Sequence, residues 1–302
     1  MMRVLITGGS GFIAAWLIAR LQRRDIEVTV FDLNPDPALV VALARMEPRI
    51  NADKIRWIAG DVSDRAAVMT AAADADLIVH MAALLTPACQ QDPIRAAHVN
   101  LIGTLNVFEC ALERGHSKVL YMSSAGVFGP DDGTIPQPTT HYGALKLAGE
   151  GCARAYFEDH AISSVGLRPL VVYGPGRSVG LTAGPTLACR AAALGESYDI
   201  PFSGDTEWVF VDDVAAIFEA AMDAAIDGAL VFNVTGVPAP IAYFAELVEA
   251  RAPGVRISIS GSPIPVAPQI ADNGLRDRFP NVKLTGLEDG IEQTLAHYSA
   301  LR

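Results

Sequence analysis

The chain has 302 residues, 51% of them apolar and 7% aromatic, with a formal net charge of −11. That length suits one large domain, or a main domain with a smaller appendage, and the apolar share is enough to fill a sizeable core. So acidic a surface repels nucleic acid and anionic membranes, and neither is expected as a partner.

In chain order, short β-rich runs alternate with longer helical patterns through the first half. Strands are predicted over Arg3–Thr7, 27–31, 55–59, Leu77–His80 and 118–123, several of them unbroken runs of branched apolar residues. Such runs suit parallel strands covered on both faces. Helices are predicted between them over 12–24, 37–46, 64–73 and 93–114, the last opened by Pro93 and closed by Gly115. A helix over 142–157 and a strand over 163–168 continue the pattern. Past Gly174-Pro175-Gly176 it loosens into a helix over Gly184–Leu194, a helix over 212–225, a strand over Ala229–Val234, a helix over Ile241–Arg251 and a last helix over 287–300. The β-α-β-α order predicts an α/β fold with a Rossmann-like, doubly wound parallel sheet. Residues 1–175 are expected to form the nucleotide-binding domain, and 176–302 a small C-terminal substrate lobe interwoven with it.

Cys89, Cys110, Cys152 and Cys189 include no C-x-x-C pair and read as reduced thiols, with no disulfide or metal role. The apolar run at the N-terminus is too short for a signal peptide, and no stretch approaches a membrane span. A soluble, cytoplasmic protein is expected.

Gly8-Gly9-Ser10-Gly11-Phe12-Ile13-Ala14 follows the first strand and opens the first helix, matching G-x-G-x-x-G/A at Gly9, Gly11 and Ala14. Small residues are needed where the chain turns sharply and its backbone approaches a pyrophosphate. The helix N-terminus then offers free N–H groups and a positive dipole end. Asp32, at the end of the second strand, stands where a carboxylate meets adenosine ribose hydroxyls. With Leu33 and Asn34 beside it and no Arg, NAD is favoured over NADP. Asp61 follows the third strand and reads either as an adenine contact or as a helix cap.

Tyr142 and Lys146 are four residues apart and share one helix face. A free phenol is a poor base at neutral pH, and a nearby ammonium is expected to lower its pKa. Such a pair suits proton exchange with an alcohol or carbonyl. Ser123-Ser124, at the end of the fifth strand, offers a hydroxyl for the reacting oxygen or a cap for local backbone.

Together these residues resemble the extended short-chain dehydrogenase/reductase family, the NAD-dependent epimerase/dehydratase family. The likeness extends to Gly60-Asp61-Val62, His80-Met81-Ala82-Ala83, Asn100 before Gly103-Thr104, Arg168-Pro169, Tyr173-Gly174-Pro175 and Val211-Asp212-Asp213-Val214-Ala215. The resemblance implies that Gly8, Gly11 and the backbones of Phe12 and Ile13 hold the pyrophosphate of NAD. It implies Asp32 at the ribose, Asp61 and Val62 at the adenine, and Ala82 and Lys146 at the nicotinamide ribose. Asn100 would sit beneath the cofactor and support the proton path, Ser124 would be the catalytic serine, and the helices over 93–114 and 142–157 would form a homodimer.

Three departures narrow the substrate. Ala125-Gly126 stands where dehydratase-like members carry Asp-Glu, Val171 where nucleotide-sugar members carry Asn, and Thr206-Glu207-Trp208 where they often carry Arg-Asp-aromatic. A small substrate is expected, such as a hydroxy acid, a sugar acid, an amino alcohol or a hydrophobic alcohol. Arg177 reads either as the grip for an anionic group or as an exposed salt-bridging residue, and Thr86 and His141 flank the expected pocket. The leading expectation is an NAD-dependent alcohol oxidation. A sugar epimerase and a non-catalytic NAD-binding protein are the alternatives.

Overall fold

The branched apolar runs form strands buried on both faces, in a computed structural model that describes residues 2–47 and 49–301. The strands are β1 (Arg3–Thr7), β2 (Glu27–Asp32), β3 (Arg56–Ala59), β4 (Leu77–His80), β5 (Lys118–Met122), β6 (Ser163–Pro169), β7 (Val171–Tyr173), β8 (Tyr198–Ile200), β9 (Asp205–Phe210), β10 (Ala229–Val234), β11 (Val237–Pro240) and β12 (Ile257–Ile259). The helices are α1 (Phe12–Gln22), α2 (Ala38–Met46), α3 (Arg65–Ala71), α4 (Thr86–Gln91), α5 (Pro93–Ala97), α6 (Gly103–Arg114), α7 (His141–His160), α8 (Gly184–Leu194), α9 (Val211–Asp223), α10 (Ile241–Arg251), α11 (Leu275–Arg278) and α12 (Leu287–Ser299).

Among the described residues, seven strands make the main sheet in the order β10-β6-β5-β4-β1-β2-β3, every neighbouring pair parallel. Alternate side chains feed two layers, as the pleat requires. Val4, Ile6, Leu77, Val79, Leu120 and Met122 join one core with α1, α2 and α9. Leu5, Ile78, Val119 and Tyr121 join the other with α3, α6 and α7. The helix ends are set locally: Asp64 caps α3 through Ala66 N at 2.9 Å, Thr140 caps α7 through Gly143 N at 3.1 Å, and left-handed Gly115 closes α6.

Two features depart from the sequence reading. The helix expected over 93–114 is broken by a π-helical turn at His98–Ile102, so α5 and α6 are separate segments. The helix α4 and the strands β7, β8, β9, β11 and β12 were not anticipated. They are three to six residues long, too short to display a period. The lobes share elements: β10, from beyond residue 175, pairs with β6, while Arg20 of α1 bonds Asp212 at 2.9 Å and Glu219 at 2.6 Å of α9. The chain therefore returns to the first lobe after building part of the second. In that second lobe Trp208 stacks on Phe244 at 4.4 Å, and Tyr173 meets Phe244 edge-on at 5.4 Å.

The strand order reverses between β1 and β4, and ligands of open α/β sheets collect at the carboxyl ends of strands beside such a switch. A cavity of about 780 Å³ opens there. Among the described residues, no helix is long and apolar enough to cross a membrane.

Candidate active site

The turn between β1 and α1 depends on Gly8, whose φ of +69° is left-handed and whose absent Cβ would lie 2.6 Å from Ala82 Cα. Gly11 N donates to Gly8 O at 3.0 Å, closing the turn. Gly11 precedes α1 without a side-chain cap, and Phe12 and Ile13 line the cavity. The first N–H groups of α1 are thus left to an oxyanion. Asp32 reaches back over this turn, accepting from Ser10 N and from Asn34 N, each at 3.1 Å. Its carboxylate retains lone pairs for a ribose diol. The turn has the narrowness and the donors that a dinucleotide pyrophosphate requires, so these residues fit NAD.

Asp61 lies at the same end with both oxygens engaged. One accepts from Ser63 N at 2.9 Å and Ser63 Oγ at 2.7 Å, the other from Arg95 Nη2. Burial would raise its carboxyl, but the bonds from Arg95 and Ser63 outweigh burial and hold it below the usual range. Val62 and Ala82 line the cavity. Asn100 does not: its amide accepts from Leu84 N at 2.7 Å and donates to Leu84 O at 2.9 Å, bracing residues 84–89 from behind. Below Ala82, buried His80 bonds Thr7 Oγ1 at 2.7 Å and Thr104 Oγ1 at 3.0 Å. Burial and the charge of Lys146 push it down to about 3, so it is neutral.

At the other end, Tyr142 and Lys146 stand one turn apart on α7, with Lys146 Nζ 5.8 Å from the Tyr142 ring centroid. Lys146 donates to Met122 O at 2.7 Å, at the end of β5. Ser124 Oγ accepts from Gly126 N at 3.0 Å, and its hydroxyl acts on the Tyr142 phenol to lower it. The loop and the helix approach through two glycines, since a Cβ at Gly143 would lie 1.8 Å from Gly126 O.

Burial dominates the electrostatics here. It pushes the Tyr142 phenol up to about 12, against the opposing pull of Ser124 and of Arg177. It pushes Lys146 down to about 8, against Cys89 and Glu150. The expectation that Lys146 would lower the phenol is therefore not met. The ammonium is turned to Met122 O, and Arg177 is the cation that acts on Tyr142.

Arg177 donates to Val172 O and, at 2.7 Å, to Thr182 Oγ1, with its guanidinium 6.0 Å from the Phe12 ring centroid. Thr86, the first residue of α4, is on the cavity wall, whereas exposed His141 is not. Glu207 is turned inward, where its buried carboxylate accepts from Gly236 N at 3.1 Å and Ile270 N at 3.4 Å. It pins the segment that carries Ile264, Pro265 and Val266 to the cavity wall.

Sequence reasoning missed the support beneath the pair. Glu150, one turn past Lys146, accepts from Arg168 Nε at 2.7 Å, from Arg168 Nη2 and from Ser123 Oγ, and Arg168 lies 5.2 Å from the Phe128 ring centroid. The i+4 spacing of Glu150 from Lys146 was visible, but nothing local pointed to Arg168 as its partner.

Residues 4–235 match the model of the NAD dependent epimerase/dehydratase family. The chain is 33% identical to UDP-glucose 4-epimerase of Mycolicibacterium smegmatis, over 78% of each chain. It is 30% identical to the decarboxylating sterol-4-alpha-carboxylate 3-dehydrogenase of Candida albicans, over 77% of this chain and 68% of that one. It spans about half the length of other curated relatives, 55% and 54% for two of them. A solved partial-consensus L-threonine 3-dehydrogenase superposes with a TM-score of 0.86, at 23% identity and covering 99% of both chains. The chain belongs to the NAD dependent epimerase/dehydratase family and is an NAD-dependent enzyme.

Proposed function

We propose that this enzyme oxidises a secondary alcohol of a small substrate, or reduces the matching carbonyl, with Tyr142 as the proton-exchanging group. The reading is carried by the meeting of Tyr142, Ser124 and Lys146 in one cavity with the glycine turn at residues 8–14. Gly8, Gly11, Phe12 and Ile13 hold the pyrophosphate, Asp32 the adenosine ribose, Asp61 and Val62 the adenine, and Ala82 and Lys146 the other ribose. Bound NAD⁺ supplies the hydride acceptor for the carbinol carbon, and NADH the donor in reverse. Tyr142 Oη takes the hydroxyl proton as the alcohol is oxidised and returns it in reduction. With one of its two lone pairs taken by Gly126 N–H, Ser124 is held to offer its hydroxyl proton to the reacting oxygen. Lys146, held by Met122 O, keeps a positive charge one turn from the phenol.

Residues 1–175 supply the cofactor end. Arg177 and the apolar side chains of 176–302 shape the substrate end, with Thr86 beside it. Exposed Leu112 of α6 and exposed Ala144, Gly151 and Ala155 of α7 offer the face for a homodimer. The free thiols fit a reducing, cytoplasmic setting.

A panel of secondary alcohols with NAD⁺ is expected to raise NADH absorbance for the right substrate. Tyr142→Phe is expected to lower kcat by about 10²–10⁴ with NAD⁺ affinity retained, and full turnover in that variant would sink the assignment. Epimerisation of a nucleotide sugar is the second reading, favoured by the likeness to the Mycolicibacterium epimerase. Tightly retained NAD with no net NADH would put it first.

A further inference from the structure

Arg177 is a desolvated cation without a counter-charge. Its guanidinium is bonded to a carbonyl and a hydroxyl, and among the described residues no carboxylate pairs with it. The acidic residues of the cavity wall are Asp32, Asp36 and Asp61, all from the adenosine end. A half-buried charge of this kind, at the wall of a cavity, is stabilised when an anion pairs with it, and a guanidinium has five donors in a fork that matches a carboxylate. Around it the wall is apolar, formed by Leu85, Leu170, Val179, Leu181, Ile264 and Val266. Leu85, Val179 and Leu181 are 38%, 67% and 42% exposed, so the mouth shows apolar surface that a ligand could cover. A Cβ at Gly180 would lie 3.1 Å from Leu85 Cδ1, so the 176–182 loop and Leu85 form one continuous wall.

We propose that the substrate is a hydroxy acid with an apolar body, its carboxylate paired with Arg177 and its carbinol at Tyr142 and Ser124. This rests on the reading of Tyr142 as the acid–base group. An amino acid such as threonine fits less well, because its ammonium would enter a positive site with no acidic partner. A sugar fits less well, because hydroxyls left unpaired against apolar walls are penalised.

The test is calorimetric binding of hexanoate and hexanamide to the NAD⁺-loaded protein. Hexanoate is expected to bind about tenfold or more tighter than hexanamide, and Arg177→Met to weaken hexanoate by about tenfold to a hundredfold. Arg177→Lys, which keeps the charge, should recover part of that loss. Equal binding of acid and amide, or tighter binding of threonine than of hexanoate, would overturn the proposal. So would a loss of NAD⁺ affinity in Arg177→Met with hexanoate binding kept, since that assigns the guanidinium to the cofactor pyrophosphate. The test needs no turnover. Hexanoate binding that depends on Arg177, together with full oxidation by Tyr142→Phe, would therefore support the carboxylate clamp while overturning the acid–base reading.

Discussion

Gly143→Ala favours a helix in isolation and should nevertheless damage this enzyme. In an exposed helix the change stabilises by about 1 kcal/mol. At position 143 the added Cβ would stand 1.8 Å from Gly126 O, 2.7 Å from Gly126 C and 3.0 Å from Pro138 Cβ, where ordinary contact begins at 3.4 Å. The obstacle is mostly backbone, so the turn after Ser124 and the start of α7 must part by about 1.5 Å, an overpacking that costs about 1–3 kcal/mol. Gly126 N donates to Ser124 Oγ at 3.0 Å, so the displaced turn carries Ser124 away from Tyr142. A misplacement of about 1 Å in reacting groups costs about 100-fold in rate. Steady-state kinetics should show kcat down by about that factor, and thermal unfolding a melting temperature a few degrees lower. NAD⁺ affinity should hold, because the added Cβ strikes Gly126 and Pro138 and not the turn at residues 8–14. A Gly143→Ala protein that melts higher and turns over at the wild-type rate would refute the packing argument.

Glu150→Gln leaves Arg168 with no carboxylate in a site where the two side chains are 6% and 12% exposed. Urea unfolding should show a loss of about 3 kcal/mol, towards the low end for breaking a buried pair because the amide keeps one acceptor. Lys146 titrates near 8 when folded, through burial, and at 10.5 when unfolded. The unfolded chain therefore binds more protons between those values, and the Lys146 contribution to stability is full above the window and lost as pH falls through it. Relative to Lys146→Met, the wild type should gain about 2–3 kcal/mol between about pH 7 and pH 10.5, and a flat difference in urea unfolding would contradict the burial of the ammonium. Asp32→Asn removes the charge that accepts the ribose hydroxyls, and should weaken NAD⁺ by about tenfold and narrow its advantage over NADP⁺; an unchanged preference would place the discrimination elsewhere.

What the sequence made legible was what local spacing can carry. Unbroken runs such as Leu77-Ile78-Val79 announced the buried parallel strands. The glycines before Phe12 announced the phosphate turn, and four-residue spacing put Tyr142 and Lys146 on one face of α7. The partners of polar side chains were not legible, because they are chosen across the fold. Asp61 finds Arg95 34 residues away, Glu150 finds Arg168 18 residues away, and Glu207 turns inward to amides 29 and 63 residues further on. The short strands of the second lobe escaped for a related reason. A strand such as Val237–Pro240, with two prolines in four residues, exists because β9 lies beside it and has little propensity of its own.

Charge changes sign along the cavity, and that polarity is a physical reason for one binding direction. At the adenosine end Asp32 and Asp36 offer acceptors to hydroxyl and amino donors, while Asp61 is paired with Arg95. In the middle, the uncapped start of α1 offers N–H groups to an oxyanion. At the reacting end the charged groups are Lys146 and Arg177, both desolvated. A phenol raised to about 12 is a weak acid in the resting protein, but proton exchange with an alcohol develops negative charge at oxygen. Fixed cations in a dry site stabilise such charge far better than water does, without reorganising as it forms. Burial raises the phenol, and the same burial strengthens the field that favours its ionised form as charge moves onto it.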